Sequence, residues 1–429
     1  MKHFLAITCL FIALPASAGT VITNAITNAI TWTDAVQRAE RENPEIAAAR
    51  EGLRAAEAAK TGSYSGFLPS VRASVGYENT ERSGSSLVAT TTGTGWTAGI
   101  NGSWNLFSGF ADTARVSQAE ANKRAADAAL ILASAKISND LKSAFEAVAY
   151  SRDYAKLTQQ ILKRREENLR LVQLRFESGR ENKGSALLSE AYLEQARFDD
   201  MQARNAARTS AVALAKVLAM DGDGTAEITV VGNVPVSEPS AAPDFTSLVM
   251  MTPDYLQSLE QAKALQNARK IAASSFYPSL DLTTSLGKRG DDFFPNDNTT
   301  KTVGVTLSIP IFSGGRDYTT YRTAVANAAA GDYTRDNSVR DIRRRIELAW
   351  AGYIESVAKL RSDESFRKAA IARSEIGRTK YNNGLLTFDD WDIIENDLIN
   401  REKTVLQTRR DRATAEGAWE QVQGKGVWR

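Results

Sequence analysis

Residues 387–392 read Thr-Phe-Asp-Asp-Trp-Asp and follow the turn Asn382-Asn383-Gly384, so three carboxylates, Asp389, Asp390 and Asp392, fall within four positions. Two kinds of chemistry suit such a run. Thr387 can cap a helix whose third residue is Asp390, because a hydroxyl and an acid at that spacing satisfy free N–H groups at a helix start. The helix dipole also favours acids in the first turn. Capping accounts for one or two of the three. If several copies of the chain meet around an axis, the same acids become rings that bind cations and set the field at an opening. Catalysis by a carboxylate pair is the weaker alternative, since the sequence has many carboxylates and no distinctive pair.

Other reactive groups are scarce. The single histidine and single cysteine are His3 and Cys9, and both fall in an export leader: Lys2, an apolar run over 4–14, then Ala16-Ser17-Ala18. Cleavage is expected between Ala18 and Gly19. Residues 19–429 then have no thiol or imidazole, which removes disulfides, Cys/His metal sites and histidine bases; no cofactor is expected and no enzyme is indicated. With 53 basic and 51 acidic residues, and Lys2 removed, the balance is +1, so no nucleic-acid partner is implied. After the leader no run is long and apolar enough for a transmembrane helix.

The elements that must position the acids are long. Trp96, Ala98, Ile100, Trp104 and Leu106 alternate with Thr97, Gly99, Asn101, Ser103 and Asn105, the period of a strand with one apolar and one polar face. A corner, Phe107-Ser108-Gly109, follows. From 111 to 176 there is no glycine or proline, which predicts one helix of roughly 100 Å.

The plan recurs. Pro44 and Pro253 are 209 apart, as are Pro69 and Pro278; the corner returns as Phe312-Ser313-Gly314, offset by 205, and the turn glycines Gly179 and Gly384 share that offset. The chain reads as a tandem duplication. The first repeat, 19–251, holds helices near 32–64 (bent at Pro44), 111–177 and 186–220, strands near 70–81 and 95–107, and an insert at 221–251. The insert is expected to carry one short strand at 228–231. Residues 20–31 read as a flexible lead-in. The second repeat, 252–429, holds helices near 253–277, 316–383 and 388–422 and strands near 279–287 and 301–312. Each long rod is matched by two shorter helices stacked end to end: 186–220 continued by 253–277, and 388–422 continued by the helix ending near 64.

Strands of about ten residues fit a tilted membrane crossing. Four cannot close a barrel, and bare edges cannot face lipid, so several chains must share one. Trp96 and Trp104, eight positions apart on the apolar face, mark the two interfaces of such a band, and outer-membrane lipid is the expected medium.

The order and duplicated spacing of Asn43-Pro44-Glu45 and Thr252-Pro253-Asp254, Phe67-Leu68-Pro69-Ser70 and Phe276-Tyr277-Pro278-Ser279, the two Phe-Ser-Gly corners, and Arg175-Phe176 and Lys380-Tyr381 resemble the TolC family of outer-membrane efflux and secretion channels. The resemblance spans nearly all of 19–429. It implies a mixed α/β membrane protein: a homotrimer sharing a twelve-strand β-barrel in the outer membrane and a periplasmic α-barrel of long antiparallel helices. It further implies a passive exit duct for small molecules or proteins, served by a periplasmic adaptor and an inner-membrane transporter docking at the tips near Gly179, Gly184 and Gly384. An acid six positions after the turn glycine in the family resembles Asp390 and narrows the entrance there. The family's next acid is Ile393 here, Asp392 points elsewhere on the helix, and Ser185 stands at the first-copy position. Tyr381 is a candidate closed-state contact. A coiled-coil spacer is the competing reading; the small Gly, Ser, Thr and Asn residues on the polar strand face favour a water-filled lumen.

Overall fold

A computed structural model describes residues 29–82, 91–222, 225, 227–296 and 298–428. The expected leader with its Ala18–Gly19 cleavage point, and residues 83–90 of the first strand-connecting loop, lie outside the described residues.

Two rods of 67 residues dominate: α3 (Ala111–Glu177) and α7 (Arg316–Asn382). Each starts from a corner in which serine caps the helix. Ser108 Oγ accepts from Asp112 N (3.1 Å) and Ser313 Oγ from Asp317 N (3.4 Å). The chain reverses through two left-handed residues, Gly109 and Phe110 in one copy and Gly314 and Gly315 in the other. Phe110, an L side chain at φ 69°, is held there edge-on to Phe107 and Tyr277.

The strands β2 (Ser70–Arg82), β3 (Thr91–Phe107), β5 (Ser279–Gly290) and β6 (Asn298–Ser308) form one antiparallel sheet in the order β2-β3-β5-β6. Register puts Val71, Ala73, Val75 and Tyr77 opposite Gly102, Ile100, Ala98 and Trp96; Ile100 opposite Leu286; and Leu280 and Leu282 opposite Leu307 and Val305. One face is therefore mainly apolar across all four strands, with Lys288 and Lys301 on it toward the β5–β6 loop, and open to the surroundings, with Val71 73% and Val303 77% exposed. The fourth strand is shorter than the 301–312 expected at its far end. It ends at Ser308 because Pro310 has no N–H for the ladder.

The helix expected over 32–64 is two helices, α1 (Trp32–Glu42) and α2 (Pro44–Ser63). Asn43 lies between them in extended backbone and accepts from Glu45 N and Ile46 N, so the proline opens a new helix and no bent one forms. Thr252 does the same between α5 (Phe245–Met251), which the Val/Pro/Ser/Thr composition of the insert conceals, and α6 (Pro253–Ala273). The expected lead-in is partly structured. β1 (Ala29–Thr31) pairs parallel with β4 (Thr229–Val231) over a core of Ile30, Ala35, Leu141, Phe145, Leu214 and Val230.

End-to-end stacking occurs with the partners exchanged. The last turn of α4 (Lys183–Val217) meets α2: Asn43 Nδ2 donates to Val217 O (2.9 Å), and Arg38 Nε to Leu218 O (3.3 Å). The end of α8 (Phe388–Val422) meets α6, with Gly424 so close to Pro253 that a Cβ has no room. Helix length alone allows either pairing; the contacts at Asn43 and Pro253 select this one. The insert instead crosses laterally from the end of α4 to the end of α8, pinned by Glu146 to Val234 N (2.8 Å) and by Glu416 to Ser237 N (3.0 Å).

Candidate functional site

Both hairpin tips close in the same way. Gly179 N donates to Phe176 O (2.9 Å) and Arg180 N to Arg175 O (2.8 Å); 205 positions on, Gly384 N donates to Tyr381 O (2.9 Å) and Leu385 N to Lys380 O (2.8 Å). Each turn needs its glycine at positive φ, 72° and 74°. Gly184 is not a turn residue. Asn182 caps α4 by accepting from Ser185 N (2.9 Å), so the helix starts at Lys183 and carries Gly184 in its first turn, ahead of the start expected near Ala186.

The three acids part company. Asp390 and Asp389 are exposed, and Asp390 exchanges bonds with Thr387: its N–H donates to Thr387 Oγ1 (3.2 Å) and its carboxylate accepts from that hydroxyl (2.7 Å). Asp392 turns into the protomer. It accepts from Tyr192 Oη (2.9 Å) and Asn396 Nδ2 (2.9 Å) and lies 3.6 Å from Arg165 Nη1. Burial pushes its carboxyl up; the bond from Tyr192 and the Arg165 charge oppose that. Arg165, itself buried, lies 4.5 Å over the Tyr192 ring, so α3, α4 and α8 meet at one buried charge cluster.

Tyr381 occupies a second knot. Its ring is buried between Trp391, stacked at 4.4 Å, and the guanidinium of Arg175, 4.3 Å from its centroid. Its hydroxyl donates to Glu181 (3.1 Å) and its carbonyl accepts from Arg175. Burial, reinforced by the Glu181 charge, raises the phenol to about 12. Arg165, Glu181 and Tyr192 give no signal in the sequence, and Arg175 gives none of its contact with Tyr381, because each finds a partner about two hundred positions away. Among the described residues no three Asp or Glu side chains converge as a metal site requires.

Trp96 and Trp104 stand near opposite ends of the apolar strand face. Trp96 packs on Tyr77 (5.1 Å) and Phe293 (4.8 Å), beside the β5–β6 loop; Trp104 Nε1 donates to Phe67 O (3.0 Å), beside the helices. The opposite face carries Ser70, Arg72, Asn101, Ser103, Thr283 and Ser285. Among the described residues no helix is long and apolar enough to cross a membrane, and the apolar belt belongs to the sheet.

An exposed apolar sheet with two open edges, carried on rods of about 100 Å, defines one protomer of an outer-membrane channel that extends into the periplasm. The profile of the outer membrane efflux proteins matches residues 35–220 and 252–425, and the chain belongs to that family. The outer membrane efflux protein BepC of Brucella suis is 26% identical over 346 residues, 78% of this chain and 72% of the relative. The alkaline protease secretion protein AprF of Pseudomonas aeruginosa is 24% identical over 205 residues, 46% of this chain and 42% of its own length. The solved CmeC outer membrane channel of Campylobacter jejuni shares the fold, with a TM-score of 0.82 at 16% identity over 91% of this chain and 85% of that one. Family and fold are those of channel proteins.

Proposed function

We propose that three copies of this chain close a twelve-strand barrel and stack their rods into a periplasmic tunnel. Cargo delivered by an inner-membrane transporter and a periplasmic adaptor leaves the cell through that tunnel. The observation that carries the reading is the sheet itself. β2 and β6 have unpaired outer edges, and the face from Val71 to Leu307 is apolar, so the protomer is incomplete in lipid until its edges meet those of other copies. Three copies of four strands give an interior wide enough for water, which the small polar inner face suits.

The two repeats, 19–251 and 252–429, arose by tandem duplication, and each supplies one strand hairpin and one rod hairpin. The adaptor docks at the turns around Gly179 and Gly384. Exposed Asp390, with Asp389, provides the charge at the entrance, and Trp96 and Trp104 mark the two lipid interfaces. The role is passive conduction, and no reaction is assigned. Purified protein in a planar bilayer should conduct ions in discrete steps; a protein that inserts stably and never conducts would favour the spacer reading.

A further inference from the structure

The polar face of the sheet carries charge unevenly. Register sets Arg72 opposite Asn101, Asn101 opposite Ser285, and Ser285 opposite Thr302, so one level across all four strands contains a single charge. The adjacent levels, Ser70-Ser103-Thr283-Gly304 and Ser74-Gly99-Gly287-Thr300, contain none. Arg72 is exposed and makes no hydrogen bond or ion pair among the described residues. Asp281 on the same face is occupied by Asn105 Nδ2 (2.8 Å) and lies four positions along and two strands across, roughly 16 Å away. That is about two Debye lengths at physiological salt. Glu78 is six positions along β2, roughly 20 Å.

Closing the barrel does not supply a partner. β2 is an edge strand, so its new neighbour is the other edge, β6 of the next copy. The polar face of β6 is Asn298, Thr300, Thr302, Gly304, Thr306 and Ser308, and none of these can neutralise a guanidinium whatever the register between copies. We propose that three copies of Arg72 form a ring of unpaired positive charge inside the barrel, which favours passage of anionic cargo and disfavours cationic cargo. This rests on the shared-barrel reading above. Like charges at one level in a confined lumen sum their potentials on whatever passes.

Cys9 is the only cysteine of the chain, so a reporter thiol can be placed at Ser103, exposed on the polar face two positions from Asn101. In Ser103→Cys protein reconstituted in lipid nanodiscs, the rates of reaction with a negatively charged sulfonatoethyl and a positively charged trimethylammonioethyl methanethiosulfonate are compared. Adding Arg72→Ser should lower the anion-to-cation rate ratio by about three- to tenfold, and Arg72→Lys should preserve it. An unchanged ratio in the serine variant overturns the ring while leaving the duct intact. A thiol that reacts with neither reagent shows that this face does not line water, which overturns the shared lumen and the ring together.

Discussion

The ring of Tyr381 lies flat against the indole of Trp391, 4.4 Å between centroids and 5° from parallel. One residue ends the second rod and the other begins the helix that returns from it. With Arg175 on the far face of Tyr381 and Glu181 on its hydroxyl, the stack bolts the α7–α8 tip to the α3–α4 tip. Any opening at this end that moves one hairpin against the other must first break the Arg175 and Glu181 contacts of Tyr381.

Replacing Trp391 by alanine empties a core site, a loss of about 3–5 kcal/mol for a buried aromatic. Amide exchange at the last turn of α7 and the first turn of α8 should speed up by at least about a hundredfold, with the β1–β4 region unchanged. Equal exchange rates in the variant would mean that the stack does not hold the tip.

Asp390 is exposed and Asp392 is turned into the protomer, so replacing each tests the proposed entrance charge separately. Asp390→Ala should weaken block by multivalent cations added on the periplasmic side, and it should also fray the start of α8, a cost of about 0.5–1 kcal/mol for the lost cap partner. Asp392→Ala should leave block unchanged and lower stability, because it strands the buried Arg165. Single-channel recordings that show the reverse assignment would overturn this division.

Burial raises the carboxyl of Glu146, which holds Val234 N, above its ordinary value of 4.5. A raised carboxyl favours the folded state in its protonated form. Its contribution is therefore full below about pH 4.5 and is lost as pH rises through the higher folded value. Glu146→Gln keeps an acceptor and removes the titration. Denaturant unfolding of the variant should show a shallower loss of stability above pH 4.5 than the parent, and identical pH profiles would rule out this role.

Asn43 caps α2 and ties it to the end of α4, three bonds from one side chain. Asn43→Ala should cost about 2–3 kcal/mol, a cap plus a hydrogen bond to a main-chain carbonyl. Asn43→Asp, which caps and cannot donate to Val217 O, should recover part of it. Thermal unfolding of the three proteins gives the comparison.

Local features were legible in the sequence because their causes are local. The alternation from Trp96 to Leu106, the Phe-Ser-Gly corners and the glycine-free run after Ala111 each fix backbone geometry within a few residues. Two features were hidden by distance. The stacking of α4 on α2 depends on Asn43 reaching Val217, and the partition of the acids depends on Arg165 and Tyr192 drawing Asp392 inward from other helices. A third was hidden by brevity: β4 falls within the short strand expected at 228–231, but its partner β1 is three residues, too short for a period to appear. Gly184 resembles a turn glycine in the sequence, but Asn182 caps α4 and places it in the first turn of the helix.

If the sheet completes itself with two further copies, native mass measurement of the detergent-extracted complex gives a stable assembly of three chains. A chain that stays monomeric, with its apolar strand face in detergent, would mean that the sheet does not close in this way.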